Sequence, residues 1–481
     1  MSEMKSLAKD TAIYGISSIV GKFLNYLLVP LYTYVLKQTS DYGIVTNLYA
    51  WTALLLVILT YGMETGFFRF ANREDYNAGS VYKTAYLTLL CTSALFTIAV
   101  IIFRQPIAGA LGYPDHAEFI EMMAATVAID AFASIPFAYL RYQKRAMLFA
   151  GLKLLFVVLN IAFNILFLVV LGKNDVFYVF LSNILATGIQ TLVLLPFTRP
   201  KGEFDMSTLR QMLRYSLPLL VLGVAGIMNQ TLDRILFPIL YPGEDAQAQL
   251  GIYGACFKVA MVMMMFTQAF RYAYEPFVFS KHKDKQSVEA YADAMKYYII
   301  FSYLILLLVV FYLDIFRYII GSAYWEGLKI VPVVLWTYVF QGIYFNLSFW
   351  YKLTDETKWG AYFSLIGLVI TLVLQIVFVP KIGYWASCGS SLVCYFVIMW
   401  LSYIIGQKKA PIPYDMKRIG AYTVLTVGLL AVYYALRLYF VHNMWANMGI
   451  GTGLLITYLF VLTRRDFPLS GLPVIGKYFK K

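Results

Sequence analysis

The segment GISSIVGKFLNYLLVP at residues 15–30 reappears in register as GVAGIMNQTLDRILFP at residues 223–238. An offset of 208 residues aligns Gly15 with Gly223, Ile19 with Ile227, Leu24 with Leu232, Leu28 with Leu236 and Pro30 with Pro238. The register runs on without a gap, so that Gly43 and Ile44 meet Gly251 and Ile252. Apolar residues match by chance, but glycine marks close backbone approach and proline marks a missing helix bond. The pairing of those two residue types indicates a repeated backbone design.

The repeated segment is one of fourteen apolar stretches, each near the roughly 20 residues that cross a bilayer. They lie near 11–35, 42–66, 81–103, 117–140, 149–171, 176–198, 215–241, 249–279, 296–320, 326–350, 359–379, 384–406, 418–441 and 446–463. The repeat offset equals six spans, so the two halves run in the same direction. Parallel repeats of this kind build transporters with a substrate site between the halves. The expected fold is an all-α polytopic membrane protein with two six-helix lobes and an appended helix pair. The expected divisions are a lobe at 1–198, a linker at 199–214, a lobe at 215–406, a helix pair at 407–463 and a tail at 464–481. No short apolar core with a small-residue cleavage site follows MSEMKSLAKD, so the first span reads as retained.

Charge sets the direction of each span. Of 39 lysines and arginines, 29 fall in every second gap, 7 in the other gaps and 3 within spans. Basic loops stay cytoplasmic, so both termini are expected there. The sparse gaps hold Lys37, Arg104, Lys173, Arg317, Lys329, Lys381 and Arg437. The chain is 60% hydrophobic and only 14% charged, against roughly 25% charged in soluble domains. Its net charge of +13 is explained by orientation, which argues against nucleic acid as a partner. No gap is long enough for a soluble catalytic domain, and KQSVEAYADAMK at 285–296 reads as a short amphipathic helix entering span nine.

Several patterns carry no chemistry. Cys91, Cys256, Cys388 and Cys394 lie in apolar segments without metal or paired-loop spacing. His116, His282 and His442 form no cluster, so no metal or cofactor is expected. The Asn229 and Asn346 glycosylation patterns lie within spans, and Gly449, Gly451 and Gly453 read as close helix packing. A phosphate-binding GxxxxGK[ST] loop is absent, so ATP is not expected to drive the protein.

Charges at membrane depth cost at least roughly 2.5–3.5 kcal/mol and mark function by default. The deep set is Lys22, Arg234 and Lys258 against Asp130 and Asp233. Arg271 and Glu275 lie near the inner end of span eight, and Glu64 and Arg69 near that of span two. Convergence of the cations would make a wet anion site. Adjacent Asp233 and Arg234 point about 100° apart on a helix, so separate partners are expected for them. Arg271 and Glu275, four residues apart, can instead neutralise each other, and Asp130 can pair with Lys22 or bind a coupling cation. Pro30, Pro136, Pro218, Pro238, Pro276 and Pro332 can bend their spans. Most of the 40 tyrosines read as packing and interfacial belt, with Tyr26, Tyr49, Tyr253 and Tyr344 as candidates for sugar contact.

The run LAKDTAIYGISSIVGKFLNYLLVPLYTYVL, then DYGIVTNLYAW and YGMETGFFRF, resembles bacterial polysaccharide flippases of the Wzx type. LDRILFP, YGACFKVAMVM and AFRYAYEPF strengthen the resemblance, which is sharpest at residues 7–75 and 215–280. It places the chain in the multidrug/oligosaccharidyl-lipid/polysaccharide exporter superfamily. The resemblance implies a non-enzymatic flippase in the inner membrane that carries an undecaprenyl-pyrophosphate-linked oligosaccharide outward, for surface polysaccharide or lipopolysaccharide. Lys22, Arg234, Lys258 and Arg271 fit the family's cationic cavity residues. Asp130, Asp233, Glu64 and Glu275 are left as coupling or structural carboxylates. Implied partners are the lipid-linked oligosaccharide, membrane lipids, and a polymerase with chain-length machinery. The alternatives are a cation-coupled multidrug exporter or a lipid II flippase. A polymerase would call for a large outer loop, and a passive scaffold would not need buried cations.

Overall fold

The computed structural model describes residues 20–21, 23–24, 26–280, 286–354, 356–440 and 443–467. Among these, every regular element is helical. Twelve helices are long and apolar enough to cross a membrane, and thirteen if the broken pair at 246–272 is one span. The expected first span lies largely outside the described residues, which include its end, α1 (Leu28–Val35). The chain is a multi-pass membrane protein.

Two compact units form, residues 1–258 with 357–398, and residues 259–356 with 399–481. These boundaries differ from the expected lobes, because the repeat-matched seventh span packs within the first unit.

The first unit begins with α1, α2 (Thr39–Thr60) and α3 (Met63–Ala71). Helices α2 and α3 make one broken span. Tyr61 and Gly62 both adopt left-handed backbone, with φ of 34° and 70°. For tyrosine that conformation costs of order 1–3 kcal/mol. Then come α4 (Ala78–Ile102), α5 (Arg104–Ala110), α6 (Ala117–Tyr142), α7 (Ala146–Asn164) and α8 (Val176–Leu194). A six-residue π-helix, Ile165–Val170, follows Asn164.

The gap at 199–205 leads to α9 (Met206–Leu240), a 35-residue helix that absorbs the second half of the expected linker. Asp205 caps it by accepting the backbone N–H groups of Ser207 and Thr208 and both their hydroxyls. Hydrogen bonds from the Thr208 and Ser207 side chains hold the Asp205 carboxyl down at about 2. A depressed carboxyl contributes stability above its unfolded value of about 3.9 and loses it as pH falls through its folded one. The melting difference between wild type and Asp205→Asn should therefore be constant from pH 7 to about 5. It should shrink between about pH 4 and pH 2.

The gaps rich in lysine and arginine gather at one end of this unit. Tyr82 Oη donates to the Thr198 carbonyl at 2.6 Å, and Lys83 Nζ to that of Gly202 at 3.0 Å. Phe67, Tyr82, Leu89, Ile135 and Met212 form a buried core beneath them.

Helix α10 (Ala246–Val259) crosses α2 where the repeat places its glycines. A Cβ on Gly43 would lie 1.8 Å from the Gln247 carbonyl oxygen, and one on Gly251 1.9 Å from that of Thr39. The two helices touch backbone to backbone, and only glycine on both sides allows it. The helix Lys358–Ile382 completes the unit, tied to α9 by Asn229 Nδ2, which donates to the Ser364 carbonyl at 2.8 Å.

Span eight is interrupted at Ala260 and continues in the second unit as α11 (Met261–Ser280). The expected amphipathic helix is not separate. It is the start of α12 (Gln286–Phe311), which runs straight into span nine. After a 3-10 segment at Ser322–Ile330 comes α13 (Val331–Leu347). Pro332 sits in the first turn of α13, where a missing N–H costs nothing, so it begins that helix and does not bend it. Helix α14 (Tyr384–Lys409) ends in this unit, followed by α15 (Met416–Phe440) and α16 (Met444–Arg465). Tyr458 Oη donates to the Ile300 carbonyl at 2.8 Å and Tyr433 Oη to that of Phe311 at 3.3 Å, which fixes the appended pair on α12.

Candidate functional site

Two cavities lie one after the other along α2 in the first unit. Tyr42, Thr46, Tyr49 and Ala53 recur every three or four residues and so share one face of that helix. That face lines a cavity of about 320 Å³. Arg234 and Thr231 of α9, Lys258 of α10, Asn160 of α7 and Asn183 of α8 form other parts of its wall. Among the described residues, Arg234 and Lys258 are its charged lining and no carboxylate lines it.

Arg234 is held from several sides. Its Nη2 donates to the Gln230 carbonyl at 2.6 Å, and its guanidinium covers the Phe257 ring at 4.6 Å. Contrary to the helical-wheel expectation, Arg234 Nε reaches Asp233 Oδ1 at 3.4 Å. Long side chains on adjacent residues can curl toward each other even when their Cβ atoms diverge. Asp233 also accepts the Tyr253 hydroxyl at 2.5 Å, so its charge is consumed by protein groups.

The repeat proline bears on this site. Pro238 has no N–H to offer the Arg234 carbonyl one turn earlier. Asn47 Nδ2 fills that role at 2.7 Å. Asn47 Oδ1 accepts from Tyr113 Oη at 2.9 Å, and Tyr113 accepts from Gln247 Nε2 at 3.0 Å. A side-chain chain therefore braces the α9 turn that carries Arg234.

Another part of the wall is polar and, among the described residues, uncharged. Asn183 Nδ2 donates to Tyr49 Oη at 3.3 Å, and Asn160 precedes the π-helix by one turn. π-Helical turns cluster at functional positions.

The second cavity, about 510 Å³, lies toward the other end of α2. Its charges balance, with Glu64 and Asp130 against Arg141 and Lys153. Arg141 pairs with Glu64, and Lys153 covers the Phe137 ring at 3.9 Å. Asp130 thus has Lys153 as its neighbour in the wall, a base that the expected deep set does not include. Lys22, its expected partner, lies outside the described residues.

Arg271 does not line the Arg234 cavity. It belongs to the second unit, where its guanidinium covers the Phe345 ring at 3.9 Å. The Glu275 side chain lies outside the described residues. Glu64 finds Arg141 across helices, while Arg69 stacks on Tyr215 at 4.0 Å. Sequence reasoning missed Asn160, Asn183 and Thr231. Their signal was an amide or hydroxyl inside an apolar span, where a polar group needs a partner.

Comparison with known proteins gives a consistent family and fold. The family described as polysaccharide biosynthesis protein matches residues 7–274, and the family described as MatE matches residues 243–377. Lsg locus putative protein 1 of Haemophilus influenzae is 22% identical over 335 residues, 66% of this chain and 77% of that one. The lipid II flippase MurJ in an inward closed conformation superposes with a TM-score of 0.74 at 14% identity, covering 94% of this chain and 99% of that one. A multidrug resistance MATE family transporter of the MOP superfamily, in its inward-facing conformation, gives 0.67 at 14% identity over 83% of this chain and 95% of its own. At such identity these structures share the fold.

Proposed function

Since the chain belongs to the polysaccharide biosynthesis protein family, we propose that it is a flippase for an undecaprenyl-pyrophosphate-linked polysaccharide repeat unit. The carrier moves from the inner to the outer leaflet of the bacterial inner membrane by alternating access, with both termini cytoplasmic. The observation that carries this reading is the cavity lined by Arg234 and Lys258 and, among the described residues, by no carboxylate. A diphosphate accepts charge-assisted hydrogen bonds, which are roughly twice as strong as neutral ones. The amide and tyrosine residues of the same cavity offer donors and ring faces to a sugar.

The polyprenyl tail can stay in lipid while only the head group needs a wet path. An inside-negative potential favours outward movement of an anion by about 2.3 kcal/mol per charge per 100 mV. Asp130 and Glu64, in the mixed-charge cavity, are the candidates for a coupling cation. A polymerase and chain-length machinery would take the delivered unit.

A cation-coupled drug exporter would favour a carboxylate-lined chamber, and the Arg234 cavity has the opposite charge. A lipid II flippase is the second reading, which the likeness to MurJ favours. Depletion of the chain followed by leaflet-resolved lipid analysis separates these. Lipid-linked oligosaccharide should build up in the inner leaflet while lipid II distribution stays normal. Unchanged oligosaccharide distribution would refute the proposal, and accumulation of lipid II alone would favour the second reading.

A further inference from the structure

Orientation leaves only seven lysines and arginines in the sparse gaps, and three of them meet in one cavity of the second unit. Arg317, Lys329 and Arg437 line a space of about 430 Å³ between the chain following α12 and the appended helix α15. Bases are depleted from these gaps, so three at one place need a local reason.

Their surroundings are built. Trp325 Nε1 donates to the carbonyls of Arg317 at 2.9 Å and Ile320 at 3.2 Å, which pins the loop. The Arg317 guanidinium lies against the rings of Trp325 at 4.6 Å and Tyr318 at 5.0 Å, and bonds Tyr318 Oη at 3.0 Å. A guanidinium held this way has lost its rotamer freedom before any ligand arrives. The carboxylates do not cancel the set. Asp314 is occupied by Arg437 Nη2 at 3.1 Å. Glu326 is exposed, and among the described residues no ion pair joins it to Lys329. The remaining wall is apolar, and within it Leu438 is 79% exposed on a membrane-crossing helix.

We propose that this cavity binds a lipid-borne phosphate, with Arg317 and Lys329 on the phosphate oxygens and the lipid chain along the Leu438 face of α15. Arg437 contributes field while it holds Asp314. The phosphate comes either from a bulk phospholipid or from the polyprenyl carrier. Its place at the outer end of the protein rests on the orientation proposed above, but binding does not.

The test uses the full chain in detergent, read by native mass spectrometry, with Asp233→Asn/Arg234→Gln/Lys258→Gln as the background, so that the first-unit cavity is silent and no buried carboxylate is left without its cation. The probes are phosphatidylglycerol, undecaprenyl phosphate and diacylglycerol. Both phosphate lipids should be retained over diacylglycerol. Adding Arg317→Gln/Lys329→Gln should cut retention about tenfold or more, the scale of one charge-assisted bond. Exposed Lys329→Gln alone should cut it partly with an unchanged melting temperature, which guards against misfolding. Preference for phosphatidylglycerol identifies bulk lipid as the source, and preference for undecaprenyl phosphate identifies the carrier. Equal retention of diacylglycerol, or undiminished retention once Arg317→Gln/Lys329→Gln is added, overturns the proposal. A chain that binds phosphate lipids here but moves no oligosaccharide would refute the flippase reading and leave this site standing.

Discussion

Arg234→Gln should abolish most surface-polysaccharide export, by two separable routes. The first is functional. Losing one charge-assisted contact to a diphosphate removes about 1.5–3 kcal/mol, or roughly 10- to 150-fold in transport at low substrate. The second is structural. Asp233, with a side chain only 4% exposed, loses its cationic neighbour and, among the described residues, keeps the Tyr253 hydroxyl. Breaking a buried ion pair costs about 3–5 kcal/mol, so protein level should fall as well. Asp233→Asn added to Arg234→Gln removes the stranded charge. The double variant should recover its level and melting temperature while export stays low. Lys258→Met should lower export without this structural penalty, because among the described residues no carboxylate pairs with Lys258. Recovery of export by the Asp233→Asn double variant would assign Arg234 a purely structural role.

The second large effect belongs to the crossing of α2 and α10. Gly43→Ala or Gly251→Ala places a methyl carbon within 2 Å of a backbone carbonyl oxygen, which a rotamer change cannot relieve. The helices must separate, and overpacking of this kind costs about 1–3 kcal/mol or more. We expect the upper end, because backbone meets backbone on both sides. Leucine at either position should prevent accumulation of folded protein. Gly226→Ala is the control, since nothing lies within 4 Å of a Cβ there. It should be neutral or stabilising by up to about 1 kcal/mol, as alanine is the better helix former. Denaturant unfolding in detergent reads both. Equal stability of Gly43→Ala and Gly226→Ala would show that the two helices do not meet at this point.

The residues that decided the fold were legible because they answer to constraints that act on sequence alone. Span length follows bilayer thickness, and the basic gaps follow the orientation rule, so thirteen of the fourteen expected spans have counterparts among the described helices. Gly43 and Gly251 were paired by offset before their contact was known. Arg234 and Lys258 stood out because a cation inside an apolar span is costly wherever it points.

What could not be read depended on rotation about each helix. Asn160 and Asn183 look like any amide in a span until α7 and α8 are packed against α2. Lys153 lies near the start of the expected span 149–171, but it was counted with the basic gap before that span, which hid its place beside Asp130. The Asp233–Arg234 contact escaped a rule based on Cβ directions, because guanidinium reach exceeds that spacing. The break at Tyr61 was invisible because tyrosine at positive φ has no propensity signal.

The most direct measurement is photo-crosslinking of the full chain with a polyprenyl-diphosphate sugar that carries the reactive group beside the diphosphate. Labelled peptides should contain the walls of the Arg234 cavity, at residues 42–53, 160, 183 and 231–258, and labelling should fall in Lys258→Met. Labels confined to other segments, with none on these walls and no change in Lys258→Met, would contradict a diphosphate-carrying cavity in the first unit.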